Sequence, residues 1–166
     1  MQKKKYHYIL AFGSNLGDRE ANLSKSLKLL KTHVTILKQS SWRKTAPLTH
    51  PIYNTDNHEY YINFVALVET NLSPIELYQI IVEIEDIIGH PRERRWMPRA
   101  LDIDILFCAY SSNNLPFSSL KPHIYYKFPD FHVPHTEYFK RDFWQDMVEN
   151  EMQISRETIL KHFNLL

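Results

Sequence analysis

The pattern of hydrophobic and polar positions predicts strands and helices in the order βαββαβ. Residues 6–12 (YHYILAF) form an apolar run typical of a strand, and a glycine-containing turn separates them from leucines at helical spacing over 23–30. Residues 35–45 look extended. The aromatic and β-branched run 60–69 (YYINFVALVE) predicts a central strand.

The second predicted helix has the clearest end signals in the sequence. Ser73 is a candidate N-cap, Pro74 occupies the first helical position, and Glu76 completes a capping box. Gly89 supplies a C-terminal stop. The apolar positions predict one buried stripe, formed by Leu77, Ile80, Ile81, Ile84, Ile87 and Ile88.

The segment 101–107 (LDIDILF) completes the pattern as a strand with two different faces. Alternation places one set of residues on the apolar face, Leu101, Ile103, Ile105 and Phe107, and another set on the opposite face, Asp102, Asp104 and Leu106. The full order predicts an α+β fold of ferredoxin-like type. In that fold an antiparallel-rich sheet carries helices on one face.

The rest of the chain adds a loop and a short helix to this frame. Residues 109–130 are rich in Ser, Asn and Pro, which predicts a surface-loop insertion, and a helix is expected near 155–163. A chain of 166 residues is long enough for a sizeable core. We therefore expect one catalytic domain over residues 1–166.

Composition and charge exclude several classes of partner. The formal net charge is +1, so the whole molecule has no field that would attract nucleic acid or an anionic membrane. The single cysteine, Cys108, excludes a disulfide framework and fits a reducing compartment. No apolar segment approaches the length of a membrane span or of a secretory signal. We expect a cytoplasmic protein that binds neither nucleic acid nor membrane.

The densest candidate chemistry lies at residues 94–107 (RRWMPRALDIDILF). Asp102 and Asp104 leave the same face of a strand about 7 Å apart, a spacing that lets two carboxylates flank a pair of metal ions. A half-buried strand with a solvated polar face is the ordinary alternative for such a pair. The arginines that precede it favour function, because cations and metals together hold polyphosphate.

A glycine-rich loop cannot be the element that binds the phosphates. The chain has only three glycines, and no P-loop or dinucleotide-binding pattern is present. Side chains and magnesium must therefore hold the phosphates. We favour a functional role for Arg99, which lies three residues before Asp102, whereas Arg94 and Arg95 remain open between phosphate contact and a solvated loop.

Five blocks in order make the chain resemble a known family. The blocks are "FGSNLGD", "RKTAPL", "YYINFVALVET", "RWMPRALDIDILF" and "VPHTEYFKRDF", spanning about residues 8–143. Their order and spacing resemble those of the 6-hydroxymethyl-7,8-dihydropterin pyrophosphokinases of folate biosynthesis. The resemblance implies transfer of a pyrophosphoryl group from ATP to the pterin hydroxymethyl group, with release of AMP and with two Mg²⁺ ions.

The resemblance also implies roles for particular residues. Asp102 and Asp104 match the metal ligands, and Arg99 matches a position that neutralises the transferring phosphates. Arg92 is a catalytic candidate as a substitute for the arginine that the family usually has at position 90. Trp96 matches a residue that closes a loop over the site. The positions that match nucleotide contacts are Arg99, His135, Arg141 and Glu85, although a structural role for Glu85 stays open.

The pterin site implied by the resemblance is aromatic and amide-lined. Tyr61 and Phe143 match the pair of rings that sandwich the pterin, and Asn63 matches the amide that recognises its polar edge. Core packing is the alternative for the two rings. The remaining positions that match this site are Gly13, Thr45, Ala46 and Leu48.

Departures from the family pattern and two rival functions complete the hypothesis. His90 stands where an arginine is usual, and Met97 replaces a glycine, which stiffens the loop backbone.

A nucleotidyltransferase would also use paired aspartates but would release pyrophosphate. A ferredoxin-like RNA-binding module would stack bases on Tyr60, Tyr61 and Phe64, yet its glycine-and-aromatic signature is absent. We expect a monomer that acts on small molecules.

Overall fold

An antiparallel sheet forms the centre of the computed structural model, which describes residues 4–89, 97–111, 117, 126–127 and 131–163. Its strands are β1 (Tyr6–Ser14), β2 (Thr35–Gln39), β3 (Arg43–Thr45), β4 (Tyr61–Thr70) and β5 (Asp102–Tyr110). The order is β2-β4-β1-β5, and β3 pairs with β4 beyond the end of β2. Two-residue strands β6 (Tyr126–Lys127) and β7 (His132–Val133) form a separate ribbon. This topology confirms the predicted ferredoxin-like α+β fold.

Two helices pack on the first face of the sheet. Helix α1 (Arg19–Leu30) is capped by Asp18, whose carboxylate accepts a hydrogen bond from the Ala21 N–H at 3.0 Å. Helix α2 (Pro74–Ile88) ends at Gly89, where a φ of 114° requires glycine. The carboxylate of Glu76 accepts bonds from the Ser73 N–H and hydroxyl, as the sequence predicts.

The predicted buried stripe of α2 is too wide. Ile87 is 59% exposed, because its position lies about 100° around the helix from the centre of the buried face. Leu77, Ile81 and Ile84 are buried as predicted. The apolar face is therefore narrower than the isoleucine content suggests.

Helical segments also cover the second face of the sheet, which corrects the prediction that helices lie on one face only. They are a 3₁₀ turn (Tyr138–Lys140), α3 (Asp142–Asp146), a π-helical turn (Met147–Glu151) and α4 (Arg156–His162). Trp144, Met147 and Ile159 from these segments pack against the sheet. Only α4 was predicted, although Trp144, Met147, Val148 and Met152 recur at helical spacing and are a sequence signal for a helix in this segment.

A β-bulge in β5 explains a second correction. Strand β1 pairs Leu10 with Ile105 but Ile9 with Phe107, so Leu106 is an extra residue in the ladder. Phe107 therefore joins Leu106 in the core on the second face, although alternation predicted it on the first. Asp102 and Asp104 precede the bulge and keep the predicted face.

Two further predictions concern the ends of the chain and the loop. Helix α4 confirms the helix expected near 155–163. Most of the loop predicted at 109–130 lies outside the described residues. Within the part of the chain that the structure describes, no helix is both long and apolar enough to cross a bilayer.

Candidate active site

A cavity of about 620 Å³ opens on the second face of the sheet, beside the C-terminal helical layer. Ala11 and Gly13 of the central strand β1 form its floor, and small residues at these two positions leave the space empty. Tyr61 and Asn63 of β4 lie on one side of the floor, and the acids of β5 lie on the other. The volume is in the range of small-molecule sites.

The strand register places four residues in a row across the sheet, three of which line the cavity while Arg43 lies beyond its edge. Arg43 pairs with Asn63, Asn63 with Gly13, and Gly13 with Asp102, so their side chains leave the same face of the sheet. The Asn63 amide also donates a hydrogen bond to the Thr45 hydroxyl. The row places a fixed amide beside a carboxylate, with only a glycine between them.

We expect Gly13→Ala to weaken ligand binding about tenfold, a loss of about 1.4 kcal/mol. A Cβ at residue 13 would lie 2.7 Å from the Asn63 Oδ1, so the amide must move away from its place on the cavity wall. Calorimetric titration with 6-hydroxymethyl-7,8-dihydropterin, the ligand that the family resemblance implies, measures the loss of affinity. Gly17→Ala is the matched control: its φ of 68° makes alanine strained there too, but Gly17 is not among the residues that line the cavity. Equal affinities for wild type and Gly13→Ala would contradict the assignment.

Each acid of β5 is paired with a cationic or hydrogen-bonding partner. The Arg99 Nη1 lies 3.1 Å from the Asp102 Oδ1, and the His135 Nε2 lies 3.3 Å from the Asp104 Oδ1. His135 Nδ1 accepts a bond from the Glu137 N–H, so the proton of a neutral ring resides on Nε2 and points at Asp104. Both carboxylates remain about a quarter exposed to the cavity.

The charges around Asp104 keep it ionised. Burial alone raises the pKa of Asp104, but the hydrogen bond from His135 and the charges of Arg141 and Arg99 outweigh it and hold the pKa below its usual value. The Tyr61 hydroxyl shows the opposite effect, since burial and then the charge of Asp102 raise its pKa. Asp104 is therefore anionic and Tyr61 neutral near pH 7.

The donor set of this site fits magnesium. Two aspartates offer hard oxygen ligands on one face of a strand, and Mg²⁺ is commonly held by one or two carboxylates together with substrate phosphates. Among the described residues, no group of three or more His, Cys, Asp or Glu side chains could hold a metal without a substrate. A metal in this cavity would therefore require phosphate or water oxygens to complete its coordination.

An aromatic and cationic wall faces the acids. Phe143 and Trp144 line the cavity, and the Arg141 guanidinium lies 4.2 Å from the centre of the Trp144 ring. The His135 ring meets the edge of Trp144 at a centroid distance of 5.1 Å. Contacts with the Trp144 ring thus orient both Arg141 and His135.

Asn15 joins the two loops that flank the cavity. Its side chain is buried, its Oδ1 accepts from the Arg99 N–H at 2.7 Å, and its Nδ2 donates to the Glu59 carbonyl at 3.3 Å. Its backbone N–H also donates to the Arg99 carbonyl at 3.0 Å. One asparagine therefore fixes the backbone directly before the paired acids.

We expect Asn15→Ala to lower the free energy of unfolding by about 1 kcal/mol, because the part-buried Arg99 N–H and the Glu59 carbonyl lose their hydrogen bonds to a buried side chain. We also expect turnover to fall at least tenfold, since Arg99 and Asp102 lose a fixed position. Urea denaturation and single-turnover kinetics measure the two effects. Asn22→Ala, which removes an exposed amide bonded to the Leu16 carbonyl, is the control. Full turnover by a folded Asn15→Ala variant would contradict this role.

The cavity brings together most of the residues singled out in the sequence. The predicted residues that line it are Gly13, Thr45, Ala46, Leu48, Tyr61, Asn63, Arg99, Asp102, Asp104, Arg141 and Phe143. His135 adjoins it through Asp104. Arg92 and Trp96 lie outside the described residues.

Glu85 is buried beneath the site rather than in its lining. It is 4% exposed, and its carboxylate accepts a hydrogen bond from the Ile103 N–H at 2.8 Å. This contact ties α2 to the start of β5 between the two acids. This contact supports a structural role for Glu85 over a direct contact with the nucleotide.

Several residues of the site escaped sequence reasoning. Trp144, Thr55, His50 and His58 line the cavity, and Asn15 supports it. The only sequence signals were Phe143, the aromatic neighbour of Trp144, and the polar pair Ser14 and Asn15 at the end of β1. The loop histidines carry no local pattern that would have marked them.

Comparison with known proteins identifies the relatives of this chain. The family model described as 7,8-dihydro-6-hydroxymethylpterin-pyrophosphokinase (HPPK) matches residues 9–151. The chain belongs to the HPPK family. The match covers all five sequence blocks that first indicated it.

Curated members of the HPPK family give the degree of similarity. A "2-amino-4-hydroxy-6-hydroxymethyldihydropteridine pyrophosphokinase" of Bacillus subtilis is 38% identical over 99 residues, covering 58% of this chain and 56% of the relative. A protein of that name from Aquifex aeolicus is 32% identical over 135 residues, covering 81% and 73%. The chain thus spans little more than half the length of the Bacillus relative.

A solved structure of an HPPK-DHPS protein, crystallised "in complex with substrates", has the same fold. It matches 96% of this chain and 43% of its own chain, with a TM-score of 0.61 and 15% sequence identity. At this identity the likeness concerns the fold alone. It agrees with the α+β topology described above.

Proposed function

We propose that this protein transfers the pyrophosphoryl group of ATP to the hydroxymethyl group of 6-hydroxymethyl-7,8-dihydropterin and releases AMP. One observation carries the proposal: the paired acids of β5, two arginines and a set of aromatic and amide side chains line a single cavity. Membership of the HPPK family and the names of the curated relatives point to the same reaction. The product would serve folate biosynthesis.

Asp102 and Asp104 would hold two Mg²⁺ ions, which when bound would neutralise charge on the phosphates during transfer. Arg99 and Arg141 both line the cavity and would contact the phosphate oxygens. His135 keeps Asp104 ionised and oriented through the 3.3 Å contact. No described side chain is needed as a general base, because this class of reaction depends mainly on position and electrostatics.

The pterin would lie over the floor of β1. Its flat ring would stack on Tyr61 and Phe143, and the Asn63 amide would bind its polar edge, with Thr45, Ala46 and Leu48 closing the side. The hydrogen bond from Asn63 to Thr45 fixes the amide before the ligand arrives. A preformed amide selects a heterocycle with matching donors and acceptors.

The decisive experiment supplies ATP, Mg²⁺ and 6-hydroxymethyl-7,8-dihydropterin and identifies the products by mass spectrometry. We expect AMP and a pterin that carries two phosphates. Pyrophosphate in place of AMP would instead indicate a nucleotidyltransferase. Salt-sensitive RNA binding without turnover would indicate an RNA-binding module.

The remaining features of the proposal concern the whole molecule. We propose that residues 1–166 form one catalytic domain that acts as a cytoplasmic monomer. The single cysteine, Cys108, is free and buried, which fits a reducing compartment such as the cytoplasm. Size-exclusion chromatography with light scattering tests the oligomeric state.

A further inference from the structure

A cluster of charges ties the edge of the sheet to the C-terminal helical layer. The Arg43 guanidinium on β3 binds Asp146 through Nη1 and Glu151 through Nη2. Glu151 also accepts bonds from the Ser41 N–H at 2.6 Å and the Ser41 hydroxyl at 2.9 Å. We call Arg43, Asp146 and Glu151 the Arg43 clamp.

The clamp joins the two walls of the cavity. Arg43 precedes Thr45 by two residues on β3, and the wall continues from Thr45 through Ala46 to Leu48. Asp146 follows Phe143 by three residues, about one turn along α3, and Phe143 lines the opposite wall. Each end of the clamp is thus anchored close to a residue that would contact the ring.

Strand β3 has little else to hold it in place. It is three residues long and pairs with β4 on one side only. An edge strand of this length is weakly held by its own ladder. The neighbouring Ser40 adds a contact with the Met147 sulfur at 3.5 Å, so residues 40–43 face the helical layer as a unit.

The form of the clamp makes it stronger than an ordinary surface ion pair. Isolated exposed pairs contribute little, whereas a planar guanidinium that binds two carboxylates fixes direction as well as distance. The pKa values agree: the hydrogen bond from Arg43 lowers the pKa of Asp146, and the two acids raise the pKa of Arg43. All three groups are only partly exposed.

We propose that Arg43 is a positioning residue that sets the separation of the two cavity walls, and so determines the affinity for the flat ring of the pterin. The proposal rests on the proposed function. Arg43 lines no part of the cavity itself, so it acts through Thr45 and Phe143. Affinity for the ring should depend on the clamp, whereas the transfer step at Asp102 and Asp104 should not.

The test titrates the pterin into wild type, Arg43→Gln and Arg43→Lys, each with Mg²⁺ and a nonhydrolysable ATP analogue. We expect Kd to rise five- to tenfold for Arg43→Gln and by less for Arg43→Lys, which keeps the charge but loses the fork. The value of kcat at saturating pterin should stay within twofold of wild type. Arg156→Gln is the matched control, because Arg156 pairs with Glu149 in the same layer at 3.7 Å but joins no cavity wall.

Salt provides a readout that general loss of structure would not mimic. The dihydropterin is uncharged near neutral pH, so its direct binding responds little to ionic strength, whereas the partly exposed clamp is screened. Between 50 and 500 mM KCl we expect the wild-type Kd to rise about twofold and the Arg43→Gln Kd to stay constant. If Arg43→Gln is unstable, Glu151→Gln is the second variant, because it leaves the bond from Arg43 to Asp146 in place. It should show the same changes in Kd, but smaller ones.

The outcomes separate this proposal from the proposed function. Unchanged pterin affinity in Arg43→Gln, or an equal loss in Arg156→Gln, overturns the clamp while AMP formation by wild type continues. A fall in kcat without a change in Kd overturns it as well. Failure of wild type to bind the pterin or to form AMP refutes the proposed function itself.

Discussion

Asp102→Ala and Asp104→Ala should each lower the rate of AMP formation about 10³-fold, equivalent to about 4 kcal/mol of transition-state stabilisation. These are the two acids of β5 that line the cavity, and both lie on one face of the strand. Loss of either carboxylate would remove half of the proposed Mg²⁺ ligands, through which the phosphates would be held. Rapid-quench assays at saturating ATP, pterin and Mg²⁺ measure the change.

The fold should survive both substitutions. The pairs with Arg99 and His135 are partly exposed, and such pairs contribute about 1 kcal/mol or less to stability. Glu83→Ala, which removes an exposed carboxylate on the outer side of α2, is the control and should keep full activity. Turnover near the wild-type rate by either aspartate variant would remove the basis of the proposed function.

Acid should destabilise the protein through His162, which ends α4. Its ring stacks on Phe117 at a centroid distance of 4.9 Å, and its buried Nε2 has no hydrogen-bond partner among the described residues. Burial lowers the pKa of His162 from 6.5 to about 4. The folded protein therefore resists protonation at a site that the unfolded chain protonates readily.

The pH window follows from the direction of this shift. Above pH 6.5 the ring is neutral in both states and contributes no pH dependence. Between pH 6.5 and 4 the unfolded chain takes up a proton that the folded protein does not, so stability falls, by about 3 kcal/mol in total. Urea denaturation from pH 7.5 to 4.5 measures the loss.

His162→Phe should flatten this part of the profile, because phenylalanine keeps the ring packing without a titratable group. His33→Gln, which changes an exposed histidine, should leave the wild-type profile unchanged. If wild type and His162→Phe lose equal stability between pH 6.5 and 5, the buried imidazole is not the cause.

The sequence predicted those parts of the fold whose signals are local. The apolar runs of β1 and β4 and the alternation in the first half of β5 are unbroken, and α2 carries both a cap and a glycine stop. The paired acids were predicted for the same reason, since two residues of one strand share a face wherever the strand lies. Their common cavity with Tyr61 and Phe143 was expected from the family resemblance rather than from spacing.

What escaped prediction depends on contacts between distant segments. The bulge at Leu106 exists only in relation to β1, so no pattern within β5 indicates it. The layer formed by α3 and the π-helical turn carries apolar residues at helical spacing, but which face of the sheet it covers depends on the rest of the fold. Asn15 has a role only because Arg99 and Glu59 meet at the end of β1.

The bulge at Leu106 divides β5 into two segments that can vary separately. Absorbing Leu106 into regular pairing, without deleting it, would restore strict alternation and exchange the layers of the residues after it, so that Cys108 would turn towards the C-terminal helices and Phe107 towards α1 and α2. Asp102 and Asp104 lie upstream and would keep their orientation. Changes in the packing of the far half of the strand are therefore not transmitted, through strand register, to the acids at its beginning.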